Sequence, residues 1–348
     1  MDHYVGLDAH KNSCTFVTQD EKGKIKRKAV IETHDQDLIQ FIKSIPGRRY
    51  LCTEEGTHSQ WLFDILQSHV HDMAIVEGRK HRGNKDDFRD ALDLANRMRI
   101  GDLGPRIWKV PEQLSTLKDM VRSYELINRD LTRVKNRIKH LYRSRGMAYS
   151  NKEYPCCAED LNCIKPGFHH ILNLLRKQQE FLEPLKAEAQ KAMVTEAKRY
   201  TITRILKTAP GFGPVRSSQL IPIVISPYRF RTSRQFWKYC GLGIVMKSSS
   251  DWVKHPNGQW VRSPVYQTRG LNRNFNRTAK AIFKGAAMTV IMSMHKDPLH
   301  KDYERLLENG TKPNLARLTI ARKIAAIVLA MWKNKEVYDP AKYRVKDK

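Results

Sequence analysis

Acidic side chains are scarce in this sequence, which has 36 Asp and Glu against 63 Lys and Arg over 348 residues. The resulting net charge of +27 is too large for an ordinary enzyme of small molecules and favours a polyanionic partner, DNA or RNA. A solvated basic surface, as in a ribosome-associated protein, is the alternative explanation of the same charge.

Several features of membrane and exported proteins are missing too. No run of 18 apolar residues is present, so a membrane span is not expected. The first residues lack the basic and apolar regions of a signal peptide, and the 6 cysteines lack the spacing of a disulfide framework. Internal repeats and low-complexity segments are absent as well. A protein of the reducing cytoplasm is the simplest expectation.

Residues 1–104 have the alternating pattern of an α/β domain. The predicted strands are 4–7, 14–18, 24–31, 50–53 and 73–76, and the predicted helices are 35–44, 59–67 and 87–99. Three strands followed by alternating helices and strands are the order of an RNase H-like fold. His10 falls in the turn between the first two strands and is interpreted as a turn residue rather than a catalytic base.

Residues 105–199 are predicted to be a helical coiled-coil segment. Pro105 and Pro111 mark its start, and apolar residues over 112–143 then repeat at steps of three and four. The opposite face of this helix is cationic and short of acids, which favours nucleic-acid contact over a merely solvated coiled coil. The contacts predicted on this face are Arg129, Arg133 and Arg137.

A second helix is predicted over 169–198, with a kink expected at Pro184, and it could pair with the first as an antiparallel hairpin. Residues 200–348 are predicted to form a third domain that is mostly helical and rich in Arg and Lys. Near the second helix, several metal-ligating side chains fit no standard zinc spacing, so zinc binding there stays open. They are Cys156, Cys157, Cys163, His169 and His170.

Five carboxylates stand where neighbouring elements could bring them together. Asp8 ends one apolar run, Glu54 and Glu55 end another, and Asp87 and Asp90 share one face of a first helical turn. Because gathered carboxylates repel one another, the cluster predicts a pair of Mg²⁺ ions acting on a phosphodiester. Successive strand residues point to opposite faces, so only one of Glu54 and Glu55 is expected to join the site, as a metal ligand, and the sequence leaves the choice between them open.

Basic motifs in residues 200–348 are candidates for phosphate contact. Gly211 and Gly213 form a tight turn before a predicted helix, as in helix-hairpin-helix elements, although a simple turn between helices is the alternative. A second motif spans 230–236, and a third, over 268–277, is interpreted as a helix start. The contacts predicted in these motifs and beside the serines are Arg231, Arg234, Lys247, Arg269, Arg273 and Arg277.

A serine stretch follows the second basic motif. Ser248 and Ser249 stand among Lys247, Lys254 and Arg262, and such cations would stabilise a serine alkoxide and a pentavalent phosphate. An ordinary surface loop is the alternative interpretation of this stretch.

Taken together, these residues resemble the DEDD insertion-sequence transposases, a family of bridge-RNA-guided serine recombinases. The resemblance covers nearly the whole chain. In the N-terminal part it is carried by Gly6-Leu7-Asp8, by Glu54-Glu55-Gly56-Thr57 and by the stretch from Lys85 to Ala91, whose motif selects Asp87 over Asp86. In the C-terminal part it is carried by the stretch from Pro210 to Pro214, that from Phe230 to Phe236, Tyr239 to Leu242 and the serine stretch.

The resemblance implies a RuvC-like N-terminal domain and a C-terminal transposase domain with a catalytic serine, for which we prefer Ser249, with Ser248 second. The serine would form a covalent link to DNA, and the Mg²⁺-binding acidic site would assist cleavage and rejoining. The family also implies a homo-oligomer, a dimer or tetramer, that joins the acidic site of one protomer to the serine of another. A structured noncoding guide RNA would pair with donor and target DNA, in the cytoplasm and at the nucleoid of a bacterium.

Two other functions are compatible with the same residues. A RuvC-like, structure-selective DNA nuclease would use the acidic site alone and would form no covalent intermediate. A noncatalytic RNA-binding assembly factor would need only the charge and the helices, so that Asp8 and Asp87 would be dispensable.

Overall fold

A five-stranded mixed sheet is the frame of the N-terminal part of the computed structural model, which describes residues 1–78, 86–147, 166–246, 252–262 and 268–342. The chain divides into two compact units, Met1–Gln113 and Leu114–Lys348. The strands of the first unit are β1 (Asp2–Ala9), β2 (Ser13–Gln19), β3 (Ile25–Glu32), β4 (Arg48–Glu54) and β5 (Asp72–Val76).

The sheet has the order β3-β2-β1-β4-β5, with β1 at its centre. β1, β2 and β3 pair antiparallel, whereas β4 is parallel to β1 and β5 is parallel to β4. The helices of this unit are α1 (Asp35–Lys43), α2 (Ser59–Leu66) and α3 (Asp87–Ile100). The predicted order of elements is confirmed, and every predicted bound lies within two residues of the observed one.

Each face of the sheet buries its own apolar cluster. One face packs Val5, Leu7 and other alternate strand residues against Leu38 of α1 and Leu62 of α2. The other face, which carries Cys52 of β4, packs against α3. The two clusters follow from strand alternation, since successive residues point to opposite sides of the sheet.

Gly6 lets α3 contact the centre of the sheet. A Cβ atom at Gly6 would lie 1.8 Å from the carbonyl oxygen of Ala91 and 2.6 Å from the amide nitrogen of Ala95. The backbone of α3 therefore touches that of β1, and only a glycine leaves room for it. Asp86 caps the helix by accepting a hydrogen bond from the Phe88 amide at 3.0 Å, which fixes where the first turn begins.

Two long helices begin the rest of the chain, α4 (Glu112–Arg143) and α5 (Pro166–Ala197). Tyr142 and Ile138 near the end of α4 pack against Phe168 and Leu172 near the start of α5. The predicted antiparallel hairpin is therefore confirmed. α5 continues through Pro184 in a single helix.

The remaining part is mostly helical, as predicted, and α11 lies at its centre. Buried residues of α11 include Ile324 and Val328, and the helix contacts α6, α8, α9 and α10. These helices are α6 (Thr201–Leu206), α7 (Pro214–Val224), α8 (Ser233–Tyr239), α9 (Arg277–Ser293), α10 (Pro298–Glu308) and α11 (Pro313–Asn334). Within the described ranges, none of the helices combines the length and the apolar character needed to cross a bilayer.

The sequence did not predict the short strands of this part. β6 (Ile244–Met246) pairs with β9 (Thr268–Leu271), and β7 (Trp252–Lys254) pairs with β8 (Trp260–Arg262). The interpretation of 268–277 as a helix start is therefore wrong for Thr268–Leu271, which form a strand, and only the last residues of the motif begin a helix. α9 begins at Arg277, where the side chain of Asn276 caps it by accepting from the Ala279 amide at 2.9 Å.

Candidate metal centre

Three side chains meet where β1 ends beside the first turn of α3. Nε2 of His10 lies 3.2 Å from Oδ2 of Asp8 and 3.4 Å from Oδ1 of Asp87. One ligand atom from each of these residues lies within 4.8 Å of the other two. Two carboxylates and an imidazole at this spacing could share one cation.

The packing of α3 on β1 explains why these residues meet. Asp8 is two residues after Gly6, so it points to the same face of the sheet. Asp87 is one helical turn before Ala91, the residue whose carbonyl contacts Gly6. The contact at Gly6 therefore sets the distance between the two carboxylates.

Asp8 is more buried than Asp87, the other aspartate of this group. Burial raises the pKa of Asp8, and the carboxylates of Asp87 and Asp90 raise it further, whereas His10 opposes the shift. Only 21% of the Asp8 side chain is exposed. A bound cation would remove the conflict between these charges, and the carboxylate oxygens of Asp8 and Asp87 are ligands that suit a hard divalent ion such as Mg²⁺.

Glu54 lies next to Asp8 across two neighbouring strands. The parallel register of β1 and β4 pairs Leu7 with Thr53, so Asp8 and Glu54 follow at the same level. Glu54 is two residues after Cys52, which faces α3, and alternation gives it the same side of the sheet.

Glu55 is held by partners of its own. Its Oε2 accepts from Nζ of Lys109 at 2.5 Å and from Oγ of Ser59 at 3.0 Å. The Lys109 side chain is 93% buried, since its exposed fraction is 7%. These contacts neutralise Glu55, which favours Glu54 as the residue that completes the acidic centre.

The predicted acids are thus brought together in part. Asp8 and Asp87 belong to the three-residue group, and Asp90 is near enough to raise the pKa of Asp8. Glu54 and Asp90 are not members of that group.

The interpretation of His10 as a turn residue is incomplete. Its amide does donate to the carbonyl of Ser13 at 2.9 Å in the β1–β2 turn, but its ring bridges Asp8 and Asp87. The only sequence signal was its position two residues after a strand-end aspartate.

The cationic face predicted on α4 is present. Arg129, Arg133 and Arg137 are exposed, and steps of four residues put them on one side of the helix. Arg133 also pairs with Asp130 at 2.9 Å, but an exposed ion pair contributes little and is easily exchanged for a phosphate.

The glycine turn before α7 is shaped by packing. Gly211 is buried with φ +69°, and a Cβ there would lie 2.2 Å from the carbonyl oxygen of Ala286 in α9. Gly213 is the N-cap residue of α7. The predicted turn before a helix is confirmed, while phosphate contact at either glycine stays a prediction.

Arg231 and Arg234 are exposed at the start of α8. Thr232 Oγ1 accepts from the amide of Gln235 at 3.3 Å, and Gln235 Oε1 accepts from the amide of Arg231 at 2.8 Å. These two hydrogen bonds fix the backbone that carries both arginines.

Arg273 and Arg277 are exposed near the start of α9, and His169 and His170 are exposed in the first turn of α5. The remaining predicted site residues lie outside the described part of the chain or, for Arg269, have a side chain outside it. They are Lys247, Ser248, Ser249, Cys156, Cys157, Cys163 and Arg269.

The backbone that leads into β6, just before the serine stretch, is tied to α11. Nε of Arg322 donates to the Leu242 carbonyl at 2.7 Å, and Nε1 of Trp237 donates to the Arg322 carbonyl at 2.9 Å. Burial lowers the pKa of Arg322. The sequence did not single out this clamp.

Two family models match the chain. The DEDD transposase model of insertion sequence IS110 matches residues 5–144, and a model described as the transposase of the IS116/IS110/IS902 family matches residues 203–304. The two matches cover the metal centre and the region from α6 to α10.

Two relatives support the same grouping. The chain is 28% identical over 216 residues to the transposase for insertion sequence element IS1533 of Leptospira borgpetersenii, an alignment that spans 56% of the chain and 62% of the relative. It is 20% identical over 404 aligned positions to the insertion element IS116 uncharacterized 44.8 kDa protein of Streptomyces clavuligerus, over 97% and 96% of the two chains.

Proposed function

The chain belongs to the IS110/IS116/IS902 family of transposases, and we propose that it cuts and rejoins the DNA of a mobile insertion element. The observation that carries this proposal is the meeting of Asp8, His10 and Asp87 at the end of β1. The order and directions of the five strands support an RNase H-like, RuvC-like fold for this part of the chain.

In this proposal Asp8, Asp87, Glu54 and Asp90 hold a pair of Mg²⁺ ions. Mg²⁺ bound there would neutralise the carboxylates and polarise a phosphodiester. His10 would keep Asp8 and Asp87 in position before the metal binds, and Lys109 would keep Glu55 away.

The cutting step is proposed to use a serine, Ser249 or else Ser248. Its Oγ would attack phosphorus while the bond from phosphorus to one deoxyribose oxygen breaks, and the serine proton would pass to the released hydroxyl. Lys247, beside the serines, would stabilise the charge that develops on the phosphate. Rejoining reverses these steps with a hydroxyl from the other DNA end.

Target choice is proposed to reside in a structured guide RNA, so that the protein needs mainly backbone contacts. The net charge of +27 and the exposed arginines of α4, α8 and α9 support this part of the proposal. Three domains are proposed, 1–104, 105–199 and 200–348. The middle one, residues 105–199, would serve in the assembly of a homo-oligomer. Sequencing of the RNA that copurifies with the protein tests this: one discrete species complementary to the flanks of the gene is expected, and a random mixture contradicts it.

The metal centre is tested with Asp87→Asn and with the matched pair Glu54→Gln and Glu55→Gln. Asp87→Asn and Glu54→Gln should each lower Mg²⁺-dependent DNA cleavage by about 10²- to 10³-fold, since each removes a charge that acts in the transition state. Glu55→Gln is the control and should keep most of the activity, because Glu55 is bound to Lys109 and Ser59. Equal losses in Glu54→Gln and Glu55→Gln would contradict the assignment.

The serine step is tested by trapping the covalent protein–DNA adduct on a denaturing gel. Ser249→Ala should abolish the adduct if Ser249 is the nucleophile, as we prefer. If the nucleophile is Ser248 instead, Ser248→Ala should abolish it. Adducts in both variants would exclude these serines. The alternative function, a structure-selective nuclease that uses the same acidic centre, predicts nicked DNA without any adduct.

A further inference from the structure

A short hairpin, residues 252–262, exposes two tryptophans. β7 and β8 pair antiparallel with Trp252 opposite Arg262, Val253 opposite Val261 and Lys254 opposite Trp260. The chain reverses at Gly258, whose φ is +86° and whose amide donates to the His255 carbonyl at 2.8 Å. An isolated two-stranded hairpin is marginal in water, so a partner is expected to cover it.

The two faces of the hairpin differ in chemistry. Directly opposite residues share a face, as do residues two apart, so Trp252, Arg262, Lys254 and Trp260 lie on one face. The guanidinium carbon of Arg262 is 5.6 Å from the ring centre of Trp252. The other face carries the valines at 253 and 261. On the first face, each indole ring therefore lies opposite a cation: Trp252 opposite Arg262, and Trp260 opposite Lys254.

Exposure of two indole rings to water costs free energy, which a bound partner would recover. Trp252 is 57% exposed and Trp260 is 62% exposed, and the cations between them are exposed too. Aromatic planes beside cations suit unpaired nucleotides, because the rings stack on bases of any sequence and the cations contact phosphates. A duplex hides its base faces and offers the rings nothing to stack on.

Charge favours a nucleic acid over a second copy of this chain. Residues 252–262 contain Lys, His and Arg but neither Asp nor Glu. A second copy of this chain would bring its own charge of +27 against them, whereas a polyanion is attracted.

We propose that residues 252–262 bind unpaired nucleotides, with Trp252 and Trp260 stacking on bases and Lys254 and Arg262 contacting phosphates. The idea rests on the proposed function, since recombination supplies both possible sources: a DNA strand opened at the crossover and an unpaired loop of a structured RNA. The hairpin then acts as a clamp for single strands that is separate from the metal centre.

The test measures affinity by fluorescence anisotropy for three probes: unstructured single-stranded DNA, unstructured single-stranded RNA and duplex DNA. In the full-length protein, Trp252→Leu with Trp260→Leu should weaken single-strand binding about 10- to 100-fold, because leucine keeps apolar bulk but has no ring to stack. Duplex binding should change little. Trp252→Phe with Trp260→Phe, which keeps two aromatic rings, should retain most of the single-strand affinity.

Matched controls separate stacking from folding and from catalysis. Val253→Thr with Val261→Thr alters the other face and should leave single-strand affinity unchanged. Lys254→Gln with Arg262→Gln should weaken binding of all three probes. It should also reduce the log–log slope of the salt dependence of single-strand binding by about 1.4, as expected for the loss of two phosphate contacts. Asp8→Asn should bind single strands normally, so loss of cleavage and loss of this contact are distinguishable.

Several outcomes overturn the inference. Equal loss for single strands and duplex in the leucine variant would make the tryptophans a structural element only. Unchanged affinity for every probe would show that the hairpin does not bind nucleotides. A change of oligomeric state by sedimentation would mean that it contacts a second copy of the protein. Loss with the RNA probe alone or the DNA probe alone would identify which of the two strands the clamp holds.

Discussion

The candidate metal centre and the hairpin at 252–262 are held in opposite ways. Asp8 lies in the central strand of a sheet that is packed on both faces, and the backbone of α3 fixes its neighbour Asp87. Among the residues that the structure describes, the strands of the hairpin at 252–262 pair with each other alone, and the large side chains of the hairpin are exposed. The difference suits the two proposed roles, because carboxylates that share a cation need fixed distances, whereas rings that stack on bases need open faces.

The largest effect on stability should come from disrupting the contact between β1 and α3 at Gly6. Gly6→Val would force a Cβ into the Ala91 carbonyl oxygen, so α3 must move and the first unit should lose about 3 kcal/mol or more of stability. Metal binding should be lost with it, as measured by thermal denaturation and calorimetric Mg²⁺ titration.

Gly56→Ala is the matched control, since a Cβ at Gly56 would meet nothing within 4 Å. Normal metal binding in Gly6→Val would show that the contact of β1 with α3 does not set the carboxylate spacing.

A smaller effect is expected on the open side. Gly258→Ala adds no steric contact but keeps φ at +86°, which should cost the hairpin about 1 kcal/mol. Faster amide hydrogen exchange confined to 252–262 is the expected result, with the stability of the first unit unchanged. A global loss of stability would mean that the hairpin is an integral part of its unit rather than a separate ribbon.

The smallest effect concerns the charge on Asp8. Its pKa is raised in the folded protein, so the native state binds this proton more tightly than the unfolded chain and loses stability as pH rises through the folded value. In the metal-free protein at pH near 7, Asp8→Asn should therefore raise Tm by a few degrees. The difference should vanish below the pH of about 3.9 at which an ordinary aspartate is protonated.

Mg²⁺ should reverse that ranking, because only the carboxylate binds it. A lower Tm for Asp8→Asn in metal-free buffer would show that Asp8 stabilises the fold by itself. The hairpin, which has no acidic residue, should show no comparable dependence.

The same contrast explains how far the sequence could be interpreted. Long amphipathic helices and half-buried strands have clear periodicities, so the elements of the first unit and the helix pair over 112–143 and 166–197 were predicted closely. β6, β7 and β8 have three residues each, and such runs are too short to show a period.

The relative positions of site residues were predictable from the sequence where both residues belong to the same helix or strand. Asp87 and Asp90 share a helical turn, and alternation in β4 separates Glu54 from Glu55. The positions of His10 and Lys109 could not be inferred, because both depend on contacts between residues distant in sequence: His10 with Asp87, and Lys109 with Glu55.

The distance in sequence between Asp8 and Asp87 has a consequence for synthesis. The acids come from the first strand and from the helix after the last strand of the sheet, and they meet only when that helix packs on the strand. A growing chain that has emerged only as far as β5 lacks Asp87, so the group of Asp8, His10 and Asp87 forms late, with the closing of long-range contacts.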